Sequence, residues 1–313
     1  MIIKIMACIA LVVLFFLLSK SADLIVHNIK ILGKKLGIRI FVLGIILGIM
    51  TSLPEIAIGI NTTINNISEI SFGNLMGGII VLFGLILAIS AILNRRIETE
   101  ENSWPFLSIL GFLILPLILG LKGEINGFDG VFLMICYLIL ILFLYRNNKK
   151  EKHLNIGVIN RENVSKDILY IIAGMIGLII FSELIVKTTM IVLDGYSISP
   201  LIIGLLVYSV GTNLPELSIA IRSFKKKVSE LSFSNLMGSA MGNVLTLGFI
   251  SLIKPISIEV DSSYYFLIIM SLVLFSLLYI FYRTGRVLSR VEGFALLAIY
   301  VIFVIGQILI QLN

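Results

Sequence analysis

Apolar runs of about twenty residues, each long enough for a helix to cross the hydrocarbon core of a bilayer, follow one another along the chain with short polar gaps between them. They lie at residues 3–30, 38–62, 70–93, 104–121, 127–146, 167–194, 199–222, 230–253, 263–283 and 289–310. The pattern predicts an all-α membrane protein of about ten transmembrane helices, five on each side of the longest polar stretch, Arg146 to Lys166. That stretch carries Lys149, Lys150, Lys152, His153, Arg161 and Lys166 and has nothing apolar to bury, so it reads as a linker with His153 solvated. The expected organisation is a five-helix unit over 1–146, a linker over 147–166 and a second five-helix unit over 167–313.

Two of the runs are interrupted in the same way. Thr51-Ser52-Leu53-Pro54-Glu55 and Thr212-Asn213-Leu214-Pro215-Glu216 each set a helix breaker and a carboxylate near the middle of a span. Proline removes a backbone donor and clashes with the preceding turn, and an ionised side chain at membrane depth costs at least about 2.5 kcal/mol. Both the prolines and the glutamates are separated by 161 residues. The same offset carries Ser71-Phe72 onto Ser232-Phe233 and Asn74-Leu75-Met76-Gly77 onto Asn235-Leu236-Met237-Gly238. Because five spans is an odd number, the second unit must enter the membrane in the opposite sense. The halves are expected to be inverted repeats with broken central helices, and paired breaks of this kind point to a transporter's substrate site.

Composition excludes a soluble domain, since 58% of residues are hydrophobic and 13% charged, with a mean hydropathy of +1.10. A net charge of +6 would suit nucleic acid, but the basic residues sit in the gaps, so no nucleic-acid partner is expected. Alternating the gaps between the two sides puts Lys30, Lys34, Lys35, Arg39, Arg95, Arg96, the linker, Arg222, Lys225, Lys226, Lys227, Arg283, Arg286 and Arg290 on one side. Only Lys4, Lys122 and Lys254 fall on the other. The basic side is expected to be cytoplasmic, with both termini outside. Residues 5–18 are read as a retained first span rather than a signal peptide. Cys8 and Cys136 lie in apolar runs and are expected to be buried free thiols, and His27 to be satisfied within the bundle. Lys20 with Asp23, and Glu183 with Lys187, are spaced for local ion pairs on the first span of each half.

Hard cations take oxygen ligands, and Ca²⁺ takes six to eight of them. Each break offers a carboxylate (Glu55 or Glu216), side-chain oxygens (Thr51, Ser52, Thr212, Asn213) and backbone carbonyls freed where proline interrupts the helix. Ser239 and Asn243, past Gly238, fall on nearly one helical face and are further candidates. Gly73, Gly77 and Gly238 are expected to serve close helix packing instead. Two carboxylates brought together neutralise one Ca²⁺ or two Na⁺, and competition for the same charge is the physical basis of exchange. The same pair suits a cation/proton antiporter. A channel or a non-transporting sensor would need no inverted pair of broken helices, and an intramembrane enzyme would need a nucleophile or His/Cys ligand cluster that the spans do not show.

The two stretches resemble the alpha repeats of the cation/Ca²⁺ exchanger superfamily, most closely its sodium/calcium exchanger branch. The resemblance rests on Ser21-Ala22-Asp23-Leu24-Ile25-Val26 leading into Leu36-Gly37-Ile38, on Thr51 to Glu55, and on Gly73-Asn74. In the second half it rests on Gly211-Thr212-Asn213-Leu214-Pro215-Glu216, Asn235 and Gly238-Ser239. It implies that the second, third, seventh and eighth spans enclose the ions, within 44–82 and 204–243, and that the long first and sixth spans slide as a gate. By motif position Thr51, Ser52, Glu55, Thr212, Glu216 and Ser239 carry over as ligands, the transported ions being Ca²⁺ and Na⁺. Neither a cofactor nor an obligate protein partner is implied. Asn213 stands in the place of a serine, Asn243 of an aspartate, Gly78 of a serine, Leu82 of an asparagine and Met50 of a glycine. Gly44 to Thr51 is also one residue shorter than Gly204 to Thr212. These departures imply a reduced Na⁺ complement around an intact Ca²⁺ position. Leu75, Met76, Leu236 and Met237 fill places where the proton-coupled branch usually has a carboxylate.

Overall fold

The computed structural model describes residues 2–35, 52–94, 96–98, 103–147, 164–193, 198–217, 230–285 and 287–312. Residues 36–51, which hold Thr51 and the first part of the expected second span, and most of the linker with His153 lie outside the described residues. The first half comprises α1 (Ile2–Lys35), α2 (Leu53–Ile64), α3 (Ser68–Ile80), a π-turn (Val81–Ile86) leading into α4 (Leu87–Asn94), β1 (Arg96–Glu98), α5 (Ser103–Gly120), β2 (Glu124–Ile125) and α6 (Gly127–Asn147). The second comprises α7 (Val164–Leu193), α8 (Pro200–Ile203), a π-turn (Gly204–Tyr208), α9 (Ser209–Thr212), a helical turn α10 at 214–217, α11 (Glu230–Ile253), β3 (Ile256–Ser257), α12 (Ser262–Gly285), β4 (Val287–Ser289) and α13 (Arg290–Leu312). Among the described residues seven helices are long and apolar enough to cross a membrane, and two shorter apolar helices, Pro105–Gly120 and Pro200–Thr212, lie among them. The protein is a multi-pass membrane protein.

The inverted relation of the halves is visible at both ends of the bundle. Two short antiparallel ribbons clamp the loops, β1 with β4 and β2 with β3. They lie at opposite ends of α5, a helix about 27 Å long at 1.5 Å per residue. Ser257 in β3 stands 161 residues after Arg96 in β1, and Val287 in β4 stands 161 after Asn126, the residue behind β2. Each ribbon is therefore the counterpart of the other on the far side. At the β2–β3 end Lys254 donates to Asn66, Glu259 N donates to Glu69 Oε1 at 2.8 Å, and Lys122 pairs with Asp129 at 2.5 Å. At the other end Arg290 Nε donates to Ile92 O at 3.0 Å.

α1 and α7, 34 and 30 residues long, exceed what a hydrocarbon core of about 30 Å requires of a perpendicular helix. They form the most extensive helix pair among the described residues, Gly174 and Gly177 of α7 lying against Ser21 of α1. With α2 and Tyr208 they share an apolar cluster distinct from the larger one built on α3, α4, α5, α11, α12 and α13. Local pairs Lys20–Asp23 (3.3 Å) and Glu183–Lys187 (2.5 Å) form as the spacing predicts. Three expectations are corrected. Cys8 is exposed and Cys136 only partly covered, and His27 lies on the exposed face of α1 rather than within the bundle. In a bilayer such faces meet lipid or headgroups, where an apolar or amphipathic side chain needs no protein neighbour.

Candidate cation site

The third and eighth spans are the most enclosed of the described spans, and each approaches the break of the other half as well as its own. A Cβ added to Gly73 of α3 would collide with Leu201 O and stand 3.0 Å from Gly204 Cα, and one on Gly204 would in turn strike Ile70 O. At Gly77 it would lie 2.7 Å from Leu205 O. Backbone therefore packs on backbone where the first half's third span crosses the second half's seventh. The reciprocal approach is at Gly242 of α11, where a Cβ would stand 2.5 Å from Ser52 Oγ. Gly73 and Gly77 thus serve packing as expected. At Gly238 a Cβ would meet nothing within 4 Å among the described residues.

The two breaks have the same backbone. Ser52 has φ −88° and ψ 10°, and Asn213, 161 residues on, has φ −89° and ψ 13°. Each restarts a helix by accepting a bond four residues ahead, Ile56 N donating to Ser52 O at 2.9 Å and Leu217 N to Asn213 O at 3.1 Å. Pro54 occupies the first turn of α2, where its missing N–H costs nothing, and Glu55 sits beside it in the positive end of the helix dipole. The second half has one residue more before its threonine, and its π-turn at Gly204–Tyr208, closed by i→i+5 bonds, takes up one residue beyond an α-turn. The π-turn at Val81–Ile86 has no counterpart in the regular helix α11. Leu82 within it is wholly buried in the larger apolar cluster, and its side chain offers no oxygen.

Glu55 and Glu216 are 3% and 5% exposed, and Glu55 feels the charge of Glu216 and faces Thr212. Ser239 Oγ donates to Glu216 Oε1 at 3.4 Å, while Glu55 Oε2 and Glu216 Oε2 have no partner among the described residues. Asp23 of α1 adds a further negative field at Glu216. Around this pair Thr212 Oγ1 donates to Asn74 Oδ1 at 3.1 Å, and Asn213 Nδ2 donates to Ser209 O at 2.7 Å. Asn243 Nδ2 donates across the halves to Leu75 O at 3.1 Å. A Cβ on Gly78 would stand 2.7 Å from Asn243 Nδ2 and 3.2 Å from Asn213 Nδ2, so three of the residues that depart from the repeat pattern are neighbours. The space over Gly78 is filled by amide donors, which repel a cation where a hydroxyl oxygen would hold it.

Of the eight residues singled out by sequence, Glu55, Thr212, Asn213, Glu216, Ser239 and Asn243 meet in this buried cluster. Ser52 flanks it against α11, and Thr51 lies outside the described residues. Sequence reasoning quoted Asn74 only as part of a repeated motif and missed its bond to Thr212. The available signal was a polar residue recurring at the 161-residue offset inside an apolar span.

An all-α, multi-pass bundle with inverted halves and paired buried carboxylates defines a membrane cation carrier. The sequence profile described as sodium/calcium exchanger protein matches residues 6–146 and 166–309, and the chain belongs to that family, whose members are cation antiporters. It is 30% identical over 290 residues to an uncharacterized membrane protein of Methanocaldococcus jannaschii, covering 91% of this chain and 93% of that one. It is 25% identical over 332 residues to the sodium/calcium exchanger MaX1 of Methanosarcina acetivorans, covering 92% and 94%. A solved structure of the sodium-calcium exchanger NCX_Mj, soaked with Na⁺ and Sr²⁺, superposes with a TM-score of 0.64 at 26% identity, covering 96% of this chain and 98% of that one.

Proposed function

We propose that the protein is a secondary active antiporter that exchanges Na⁺ for Ca²⁺ across the cytoplasmic membrane by alternating access. The observation that carries this reading is the pair of buried glutamates, one from each helix break, each with an oxygen unpartnered among the described residues. Two such charges side by side in a low-dielectric interior are unfavourable until a cation sits between them. Glu55, Glu216, Thr51 and Thr212 supply oxygens for one Ca²⁺. Ser52, Asn213, Ser239 and Asn243 extend the oxygen set toward Na⁺, and occupancy by one ion set excludes full occupancy by the other. The sites span 44–82 in the first unit and 204–243 in the second.

The amide donors over Gly78 favour a second reading for the driving ion, in which protons replace part of the Na⁺. We expect Ca²⁺ efflux from proteoliposomes to rise with external Na⁺ less steeply, and at higher concentration, than for a relative with oxygens at those positions. Gly78→Ser should steepen it, the hydroxyl displacing the amide ends of Asn213 and Asn243 rather than backbone. Repeating the assay with an imposed pH gradient separates the readings. Uptake that follows the pH gradient and ignores Na⁺ would replace Na⁺ coupling by proton coupling, and steep, high-affinity Na⁺ dependence in the wild type would reject the reduced Na⁺ complement.

The basic end of the bundle, with Arg290 and the linker, is assigned to the cytoplasm. In a Cys8→Ser, Cys136→Ser background, an impermeant thiol reagent applied outside should label a cysteine introduced at Asn313 and miss one at Asn160. The reverse pattern would invert the orientation.

A further inference from the structure

We infer that Asn74 is a positioning residue that turns the Thr212 hydroxyl into a cation ligand. The inference rests on reading the cluster as a cation site. A threonine hydroxyl has one proton and two acceptor lone pairs. Thr212 Oγ1 lies 3.1 Å from Asn74 Oδ1 and 3.5 Å from the donating Asn213 Nδ2, and it faces the Glu55 carboxylate. The Asn74 amide oxygen and the Glu55 carboxylate only accept, so they compete for a single proton. If the proton points at Glu55, it stands where a cation held by Glu55 would sit. If it points at Asn74, the Thr212 lone pair that does not take the Asn213 amide faces Glu55, and the two oxygens together hold the ion. Asn74 therefore takes the proton when the ion arrives, and gives the hydroxyl back to Glu55 when it leaves.

Burial makes this orientation firm. Asn74 is 0% exposed and Thr212 1%, so water cannot replace either partner. Gly73 beside it brings α3 onto Gly204, which sets the distance from Asn74 to Thr212 by backbone contact rather than by a flexible side chain. The bond joins the first half to the second, so the hydroxyl is set by the repeat that does not carry it. Asn74 Nδ2 has no partner among the described residues, nor have Glu55 Oε2 and Glu216 Oε2. A buried donor of this kind is matched chemically by a carboxylate oxygen, giving the same side chain a second means of orienting the site.

The test is a double-mutant cycle in proteoliposomes, reading the Ca²⁺ concentration for half-maximal uptake. Asn74→Leu keeps the volume and removes the acceptor, and should raise that concentration about tenfold. Thr212→Val should do likewise, and the double variant should be no worse than Thr212→Val alone, because Asn74 acts through that hydroxyl. Asn74→Asp retains an acceptor in place and should not raise it. Independent, multiplying effects in the double variant, or an unchanged value in a monodisperse Asn74→Leu protein, would overturn the inference. Should Asn74→Leu fail to fold, Asn74→Ala carries the cycle. A wild type without Ca²⁺ uptake counts against the proposed function, and the same cycle, read as the rise in unfolding temperature caused by Ca²⁺ or Na⁺, then decides the role of Asn74 separately. A wild type stabilised by neither ion overturns both.

Discussion

Glu216→Gln should abolish Ca²⁺ uptake while leaving the protein folded and inserted, and Glu55→Gln should do the same. Glutamine has the shape of glutamate and can still accept the 3.4 Å bond from Ser239 through its carbonyl oxygen, so packing around Glu216 is preserved. What is removed is one of the two buried charges proposed to neutralise a divalent ion together. A Ca²⁺ left with a single carboxylate would carry a net charge into the membrane interior, where even one elementary charge is costly by at least about 2.5 kcal/mol. Losses of that size lower affinity on the order of a hundredfold. Because the empty pair is itself mutually repulsive, the Gln variants should unfold at the same or higher temperature than the wild type in ion-free buffer, and lose the stabilisation that Ca²⁺ confers. Thermal unfolding with and without Ca²⁺, beside uptake, checks both halves of this expectation. A folded Glu216→Gln protein with unimpaired uptake would remove the carboxylate pair from the centre of the mechanism.

A leucine at Gly204 or Gly73 should prevent the fold from forming. The crossing of the third and seventh spans brings Cα atoms and carbonyls together, and the first atom of any side chain at either glycine falls on backbone that moves only if a whole helix moves. Overpacking a tight core typically costs about 1–3 kcal/mol when side chains can yield. Here the obstacle is main chain, and the displacement would separate Asn74 from Thr212 and Leu75 from Asn243 as well. Gly204→Leu and Gly73→Leu should therefore give little monodisperse protein on size exclusion. Gly111→Leu is the control, since a Cβ at Gly111 on the outer face of α5 meets nothing within 4 Å among the described residues. Wild-type elution and unfolding temperature in Gly204→Leu would show that the two spans are not held at this distance.

The sequence by itself determined the run of membrane spans, the near-residue placement of helices such as Gly127–Asn147 and Glu230–Ile253, and the position of both breaks. Hydropathy and proline chemistry are local properties, readable without knowing what lies opposite. The repeat was legible too, because the 161-residue offset of Pro54 and Pro215 is a statement about the chain alone, and its inversion followed from the odd number of spans in each half. Only the tertiary structure decided which face of each helix turns inward. In lipid an apolar side chain is nearly as well placed outside as inside, so the pattern of hydrophobic positions says little about rotation. That is why the pattern places Cys8 and His27 in the interior, whereas both lie on the surface. The pairing of helices was hidden for a related reason: α3 meets the seventh span of the other half through glycines, which carry no side chain to advertise a partner. The bond from Thr212 to Asn74, and the meeting of Asn213 and Asn243 over Gly78, follow from that crossing and from nothing nearer in the chain.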